Sequence, residues 1–202
     1  MKLRNDIVGV ILAGGKSSRM GRDKALLELK GMSFIKNIAD ELQKVFTKVI
    51  IVSDRTEAYK FLGLRIYEDI FKNCGPLAGI HSAFIHSRSK VIFVVSTDMP
   101  LINSKIIKYI LDLSFSNEAI VYSIHNTIQP LFGIYNRTCF SVLEEDHLRR
   151  KQYSVVQFLN DIDSIIIPVP ASPLCDIARM LVNVNTPEDY QQIISQLCLR
   201  QS

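Results

Sequence analysis

Residues 12–27 read LAGGKSSRMGRDKALL and set Gly14, Gly15 and Gly21 among Ser17, Ser18, Arg19 and Lys24, directly behind the apolar run of residues 7–12. Glycines let backbone amides close on a phosphate or a flat base with no Cβ in the way. Arg and Lys add charge, the first as a planar fork and the second as a point charge. Behind a buried strand, this set of residue types suits a polyphosphate, with Arg19 and Lys24 supplying charge to it and the glycine backbone forming its cradle. Two commoner loops are excluded. A dinucleotide fingerprint needs G-x-G-x-x-G, but here the first two glycines are adjacent and Gly21 comes too late. A P-loop would need a glycine where Val10 stands, and Gly9 is one residue out of register.

A second chemical centre is Asp98, in TDMPL behind the apolar run VIFVVS. A carboxylate at the carboxyl end of a strand faces the ligand crevice and can hold Mg²⁺, which takes carboxylate and phosphate oxygens. In YEDIFKNCGPLAGI, Asp69, Gly75 and Gly79 read from their types alone as a solvated charge and turn glycines. In NVNTPED, Thr186 is placed to cap a helix, with Pro187 in its first turn and two acids near the positive helix end, which leaves Asn183 and Asn185 free. The basic cluster Arg149, Arg150 and Lys151 suits either a phosphate of an acceptor or, more simply, a solvated helix end. His81, His86, His125 and His147 have no metal-ligand spacing and receive no role. Nothing in the chain assembles a nucleophile with a histidine base.

These residues need elements to hold them. Strands are expected at 7–12, 48–52, 64–67, 91–96, 119–124, 131–135 and 164–169, with another near 180–184. Helices are expected at 34–46 (Phe34, Ile38, Leu42 and Val45 on one face), 57–62, 77–87, 104–113 behind an Asn103 cap, 138–147 and 187–199. Strands alternating with helices, several of them near-continuously apolar, give an α/β fold. This is a Rossmann-like three-layer sandwich with a mostly parallel sheet. In such sheets ligands bind beyond the carboxyl ends of the strands. Functional residues are therefore expected just after Leu12, after Val52, near Tyr67 and after Ser96.

With 202 residues, no repeat and no linker-like stretch, the chain is expected to form one domain, 1–202. A net charge of +4 suits a small anionic ligand and falls short of the basic footprint of a nucleic-acid binder. Cys74, Cys139, Cys175 and Cys198 are widely spaced, as reduced thiols in a cytoplasmic protein would be. The apolar run of 7–13 is too short to span a membrane.

The run from Leu12 to Leu27 resembles the signature of the molybdenum cofactor guanylyltransferases, L-A-G-G-x-S-x-R-M-G-x-D-K, at every fixed position. The likeness continues in GPLAGI, TDMPL and NVNTPED. Sugar nucleotidyltransferases carry a related loop with a proline before the lysine, so Asp23–Lys24 favours the cofactor branch. The resemblance implies a nucleotidyltransferase-type fold and Mg²⁺-dependent transfer of GMP from GTP to the molybdenum-molybdopterin cofactor, releasing pyrophosphate. It implies that Arg19, Lys24 and Asp98 are catalytic, with Asp98 carrying the metal. The nucleotide and cofactor would be held by Leu12, Ala13, Gly14, Gly15, Lys24, Asp69, Gly75, Gly79, Asp98, Asn183 and Asn185. It places Gln129–Pro130 in the acceptor region and leaves base contacts around Val52, Ser53 and Asp54 unassigned. As partners it implies GTP and molybdopterin cofactor, with neither nucleic acid nor membrane, and room for transient contact with other cofactor-biosynthesis proteins or apo-molybdoenzymes. A cytidylyltransferase, a sugar-phosphate nucleotidyltransferase and a non-catalytic nucleotide-binding adaptor are the alternatives.

Overall fold

The first strand, β1 (Ile7–Leu12), is buried at all six positions, so it must be covered on both faces, as a central strand of a parallel sheet is. The structure, a computed structural model, describes residues 3–14, 23–112, 116–169 and 176–198. After β1 come a 3₁₀ turn (Lys24–Leu26), the small hairpin β2 (Glu28–Leu29) and β3 (Met32–Ser33), and helix α1 (Phe34–Gln43). Then follow β4 (Val49–Val52), 3₁₀ turns at Glu57–Leu62, β5 (Arg65–Tyr67), α2 (Pro76–Ser87), β6 (Val91–Ser96) and α3 (Ser104–Asp112). The remainder contains β7 (Ala119–Ile124), β8 (Thr127–Asn136), a 3₁₀ turn (Arg137–Cys139) and a π-helical stretch (Val142–Leu148). It ends with α4 (Val155–Asn160), β9 (Ser164–Val169), α5 (Asp176–Met180) and α6 (Pro187–Cys198).

Seven strands form one sheet in the order β5-β4-β1-β6-β8-β7-β9, and only β8 runs against the rest. Alternation along β1 divides the core. Ile7 and Ile11 pack with residues of α1 and α3 on one face, while Val8, Val10 and Leu12 pack with α2, α4 and the π-helical stretch on the other. This is the expected three-layer α/β sandwich. The expected stripe Phe34, Ile38, Leu42 and Val45 is buried, although α1 ends at Gln43 and Val45 lies in the turn beyond it.

Three expectations need correction. Residues 180–184 form no strand: α5 ends at Met180, and the burial of Met180, Leu181 and Val184 against other elements accounts for their apolar pattern. The helix expected at 138–147 is a 3₁₀ turn followed by a π-helical stretch. The strand expected at 131–135 extends over Thr127–Asn136, because His125 and Asn126, at φ 49° and 59°, make a tight two-residue turn that pairs β8 with β7 from its first residue. The sequence reading also missed the β2–β3 hairpin and α4, whose N-terminus is capped by Ser154 Oγ accepting from the Gln157 amide at 3.3 Å.

Candidate active site

Strand register brings the expected ligand edge into being. Leu12 lies opposite both Val52 and Ser96, and Val52 lies opposite Tyr67, so four strand ends stand level. Backbone bonds continue one step further: Ala13 N donates to Val52 O (3.0 Å), Ser53 N to Tyr67 O (2.8 Å) and Thr97 N to Leu12 O (3.3 Å). The residues beyond these ends, Ala13–Gly14, Ser53, Glu68–Asp69 and Thr97–Asp98, therefore share one edge.

Asp98 is part-buried there, and its Oδ1 accepts from the Ser96 hydroxyl. Its backbone carbonyl accepts from Val184 N at 2.8 Å, which lays the segment 183–185 directly beside it. Val184 is buried among Leu27, Leu29 and Phe34. Asn185 Oδ1 receives a hydrogen bond from Lys24 Nζ at 2.8 Å, and Asn183 Nδ2 donates to Gln129 Oε1 at 2.8 Å. The side-chain oxygen of Asn183, Oδ1, is buried without a partner. Segments 161 residues apart in sequence are thus joined at one point by the Lys24–Asn185 bond. Asn185 is itself fixed by a capping box: the amides of Asn185 and Thr186 donate to Asp189 Oδ2 (2.8 and 2.9 Å), and the Asp189 amide donates to Thr186 Oγ1 (3.2 Å). These bonds hold the Asp189 carboxyl below its ordinary range.

On the α2 side, Asp69 is tied down by its neighbour, since Ile70 N donates to Ser82 Oγ of α2 at 2.9 Å. Asp69 Oδ1 is enclosed with no partner. Burial pushes its carboxyl up to about 6; the Asp54 carboxylate adds to the shift and Lys72 opposes it. Gly75 precedes α2 at φ +69°, a left-handed position that favours glycine. Gly79 sits one turn inside α2, buried, where a Cβ would stand 3.0 Å from Leu12 Cδ2. The structure thus places Gly79 as the point where α2 packs against the end of β1, and Gly75 at the exposed helix start. Arg149 pairs with Glu144 and Glu145, and Arg150 with Asp146, so the basic cluster is largely answered from its own stretch of chain. Gly15 and Arg19 lie outside the described residues.

Two site-supporting residues, Arg55 and Tyr59, escaped the sequence reading, and Asp23 and Ser53 were named there without the contacts they make. Asp23 accepts from Tyr59 Oη (2.7 Å) and Ala25 N (3.0 Å) and pairs with Arg55 Nη1 (3.0 Å). Ser53 Oγ donates to Ala13 O at 2.5 Å. Only the position of Ser53, one residue past a strand end, gave a signal; a phenol 36 residues from Asp23 gave none.

Among the described residues no three His, Cys, Asp or Glu side chains gather where they could hold a metal. The Asp98 carboxylate at the end of β6 nevertheless fits Mg²⁺, which is usually held by one or two carboxylates with phosphates and water completing its shell. An open cavity of about 480 Å³ lies at the opposite edge of the sheet, lined by Thr47, Lys48, Val49 and Arg65. It is remote from these groups, being at the amino-terminal ends of β4 and β5.

A parallel-sheet α/β sandwich with a glycine-rich loop, a lysine and a carboxylate at its carboxyl edge defines a nucleotidyltransferase-type domain. The chain belongs to the MobA-like NTP transferase domain family, whose profile matches residues 9–163. It is 33% identical over 192 residues to a Carboxydothermus hydrogenoformans protein named "probable molybdenum cofactor guanylyltransferase", covering 95% of this chain and 96% of that one. Its fold is similar to that of molybdopterin-guanine dinucleotide biosynthesis protein A from Archaeoglobus fulgidus, with a TM-score of 0.79, 21% identity and coverage of 96% and 99%. It is also similar to that of a Mycobacterium tuberculosis protein solved with manganese, with a TM-score of 0.69, 18% identity and coverage of 95% and 99%.

Proposed function

We propose that this chain, as a single domain over residues 1–202, transfers GMP from GTP to the molybdenum-molybdopterin cofactor. The products are molybdopterin guanine dinucleotide and pyrophosphate. The observation that carries the reading is the junction at which Lys24 of the glycine-rich loop, Asn185 and the Asp98 backbone meet. It brings three motifs of the guanylyltransferase resemblance into one place.

A terminal phosphate of the pterin attacks the α-phosphorus of GTP, and pyrophosphate leaves. Both reactants are anions, so the protein's work is charge neutralisation and alignment rather than base catalysis. Lys24, held by Asn185, meets the triphosphate and stabilises the departing pyrophosphate, together with Arg19. The amides of the Gly14–Gly15 stretch lie against phosphate or base. Asp69 presents an enclosed acceptor to the donors of the nucleoside, and a guanine N1–H with its exocyclic amine is complementary to a carboxylate. Asp98 holds a divalent cation, Mg²⁺, which when bound neutralises charge on the phosphates and orients them. Gln129, Asn183 and the Asn183 oxygen left unpaired face the acceptor. The chain acts in the cytoplasm, with GTP and the molybdopterin cofactor as its partners and brief contact with cofactor-biosynthesis proteins or apo-molybdoenzymes. Among the described residues no helix is long and apolar enough to cross a membrane.

Pyrophosphate release is the test, measured with purified molybdopterin cofactor and with GTP, CTP or ATP in turn. Release with GTP that stops when the divalent cation is chelated is expected. Preference for CTP, or release that ignores the pterin, would overturn the reading.

A further inference from the structure

The short segment between β4 and β5 touches both stems of the glycine-rich loop. On the entering side, the buried hydroxyl of Ser53 donates to Ala13 O at 2.5 Å. On the leaving side, Arg55 and the Tyr59 phenol both grip Asp23, the residue before Lys24. The segment is one piece, because Arg55 N donates to Ser53 Oγ at 3.1 Å. It is anchored in the core as well: Tyr59 is 1% exposed and its ring packs in the cluster beneath α1.

A buried phenol needs a partner for its O–H, and the charged Asp23 carboxylate is the partner it has. That carboxylate also takes the Ala25 amide, which fixes the 3₁₀ turn beginning at Lys24. A chain of contacts therefore runs from the rigid core through Tyr59 and Asp23 to the lysine, whose own tip is held by Asn185. We infer that Ser53, Arg55 and Tyr59 are positioning residues for nucleotide binding. Arg55 and Tyr59 set the place of Lys24 through Asp23, and Ser53 sets the place of the Ala13–Gly14 backbone. This rests on the proposed nucleotide-transfer function but not on which base is used.

A double-mutant cycle tests it, with nucleotide affinity and steady-state rates as readouts. Tyr59→Phe keeps the ring in the core and removes only the hydroxyl; it raises the Kd for GTP about tenfold, as expected for loss of a hydrogen bond to a charged group. Its KM for the acceptor stays close to the parent value, and its Tm falls by no more than one lost hydrogen bond accounts for. In a Lys24→Ala background the same change costs less than about twofold, because the phenol acts through that lysine. Equal effects of Tyr59→Phe in both backgrounds, or a rise in both KM values together, would overturn the inference by marking the phenol as a general packing residue. Arg55 is half-exposed, so Arg55→Ala provides a second arm that leaves no cavity in the core. It is expected to weaken GTP binding several-fold with Arg55→Lys restoring part of the loss, and an unchanged Kd would count against the proposal. If the parent protein prefers CTP, the guanylyl reading fails while the same cycle, run with CTP, still decides this one.

Discussion

At the scale of single residues, the roles proposed for Asp98 and Lys24 differ by charge, and substitutions should separate them. Asp98→Ala removes the carboxylate proposed to hold the cation while leaving the backbone bond to Val184 in place. Pyrophosphate release should fall to near background with Tm changed little, and near-normal cation-dependent turnover would sink the assignment. Lys24→Ala should weaken triphosphate use by roughly 1.5–3 kcal/mol, the range of a charged hydrogen bond; titration of nucleotide binding checks it. Asp69 makes a pH prediction. Its carboxyl titrates near 6, above the ordinary value of 3.8 that the unfolded chain keeps. Between those two values the folded protein holds a proton that the unfolded chain has released, so stability falls as pH rises through this window. Asp69→Asn should therefore be more stable than the parent above pH 6, by about 1 kcal/mol after allowance for solvent screening. The gain should vanish below pH 4; denaturant melts at pH 4 and pH 8 measure it. Asp98, Lys24, Asp69 and the two asparagines were legible because each stands in a motif beside a strand end or helix start. Tyr59 and Arg55 were not, because a side chain that reaches back 36 or 32 residues leaves no trace in local pattern.

At the scale of elements, legibility followed runs of Ile and Val. Strands β1, β6, β7 and β9 match their expected limits, since runs of Ile and Val bounded by polar residues have few other fates. The errors fell where apolar residues serve something other than a sheet. Met180, Leu181 and Val184 look like a strand but close the core beneath the site, and Val184 spends its amide on Asp98 O. Similarly, the π-helical turn at Val142–Leu148 keeps the hydrophobic spacing of an α-helix closely enough to be mistaken for one. The cap of α6 shows an element doing chemical work. Asp189 Oδ2 holds the amides of Asn185 and Thr186, so Asp189→Ala should cost about 1 kcal/mol of stability as a lost cap. It should also raise the nucleotide KM, because Asn185 no longer braces Lys24. Thr186→Ala removes one cap bond and leaves the Asn185 amide paired, so it should lower Tm with little change in KM. Thermal melts beside nucleotide-dependence curves distinguish the two, and identical kinetic defects would show that Asn185 does not act through its position.

At the scale of the whole molecule, the site is assembled from segments that the fold brings together only when complete. The glycine-rich loop follows β1, Asp98 follows β6, Asp69 precedes α2, and the asparagines arrive after β9 on the way to α6. Two core clusters, one on each face of the sheet, share β1, β4, β6, β7 and β8, so neither layer can loosen without exposing the other's strands. Unfolding should then be a single cooperative transition, and ligand binding at the shared edge should stabilise all of it. At a nucleotide concentration a hundredfold above its Kd the stabilisation is about 2.7 kcal/mol. For a chain of this length that corresponds to a rise in Tm of roughly 5–10 °C. GTP with Mg²⁺ should produce the full shift, and GTP with a chelator a smaller one, because Asp98 would then face the phosphates as an uncompensated negative charge. In Asp98→Ala that repulsion is gone, so the chelator's effect on GTP binding should shrink. Scanning calorimetry with intact protein reads all of these shifts. Two separate transitions, only one of which moves with GTP, would mean that the edge belongs to part of the chain alone and that the single-domain assignment must be given up.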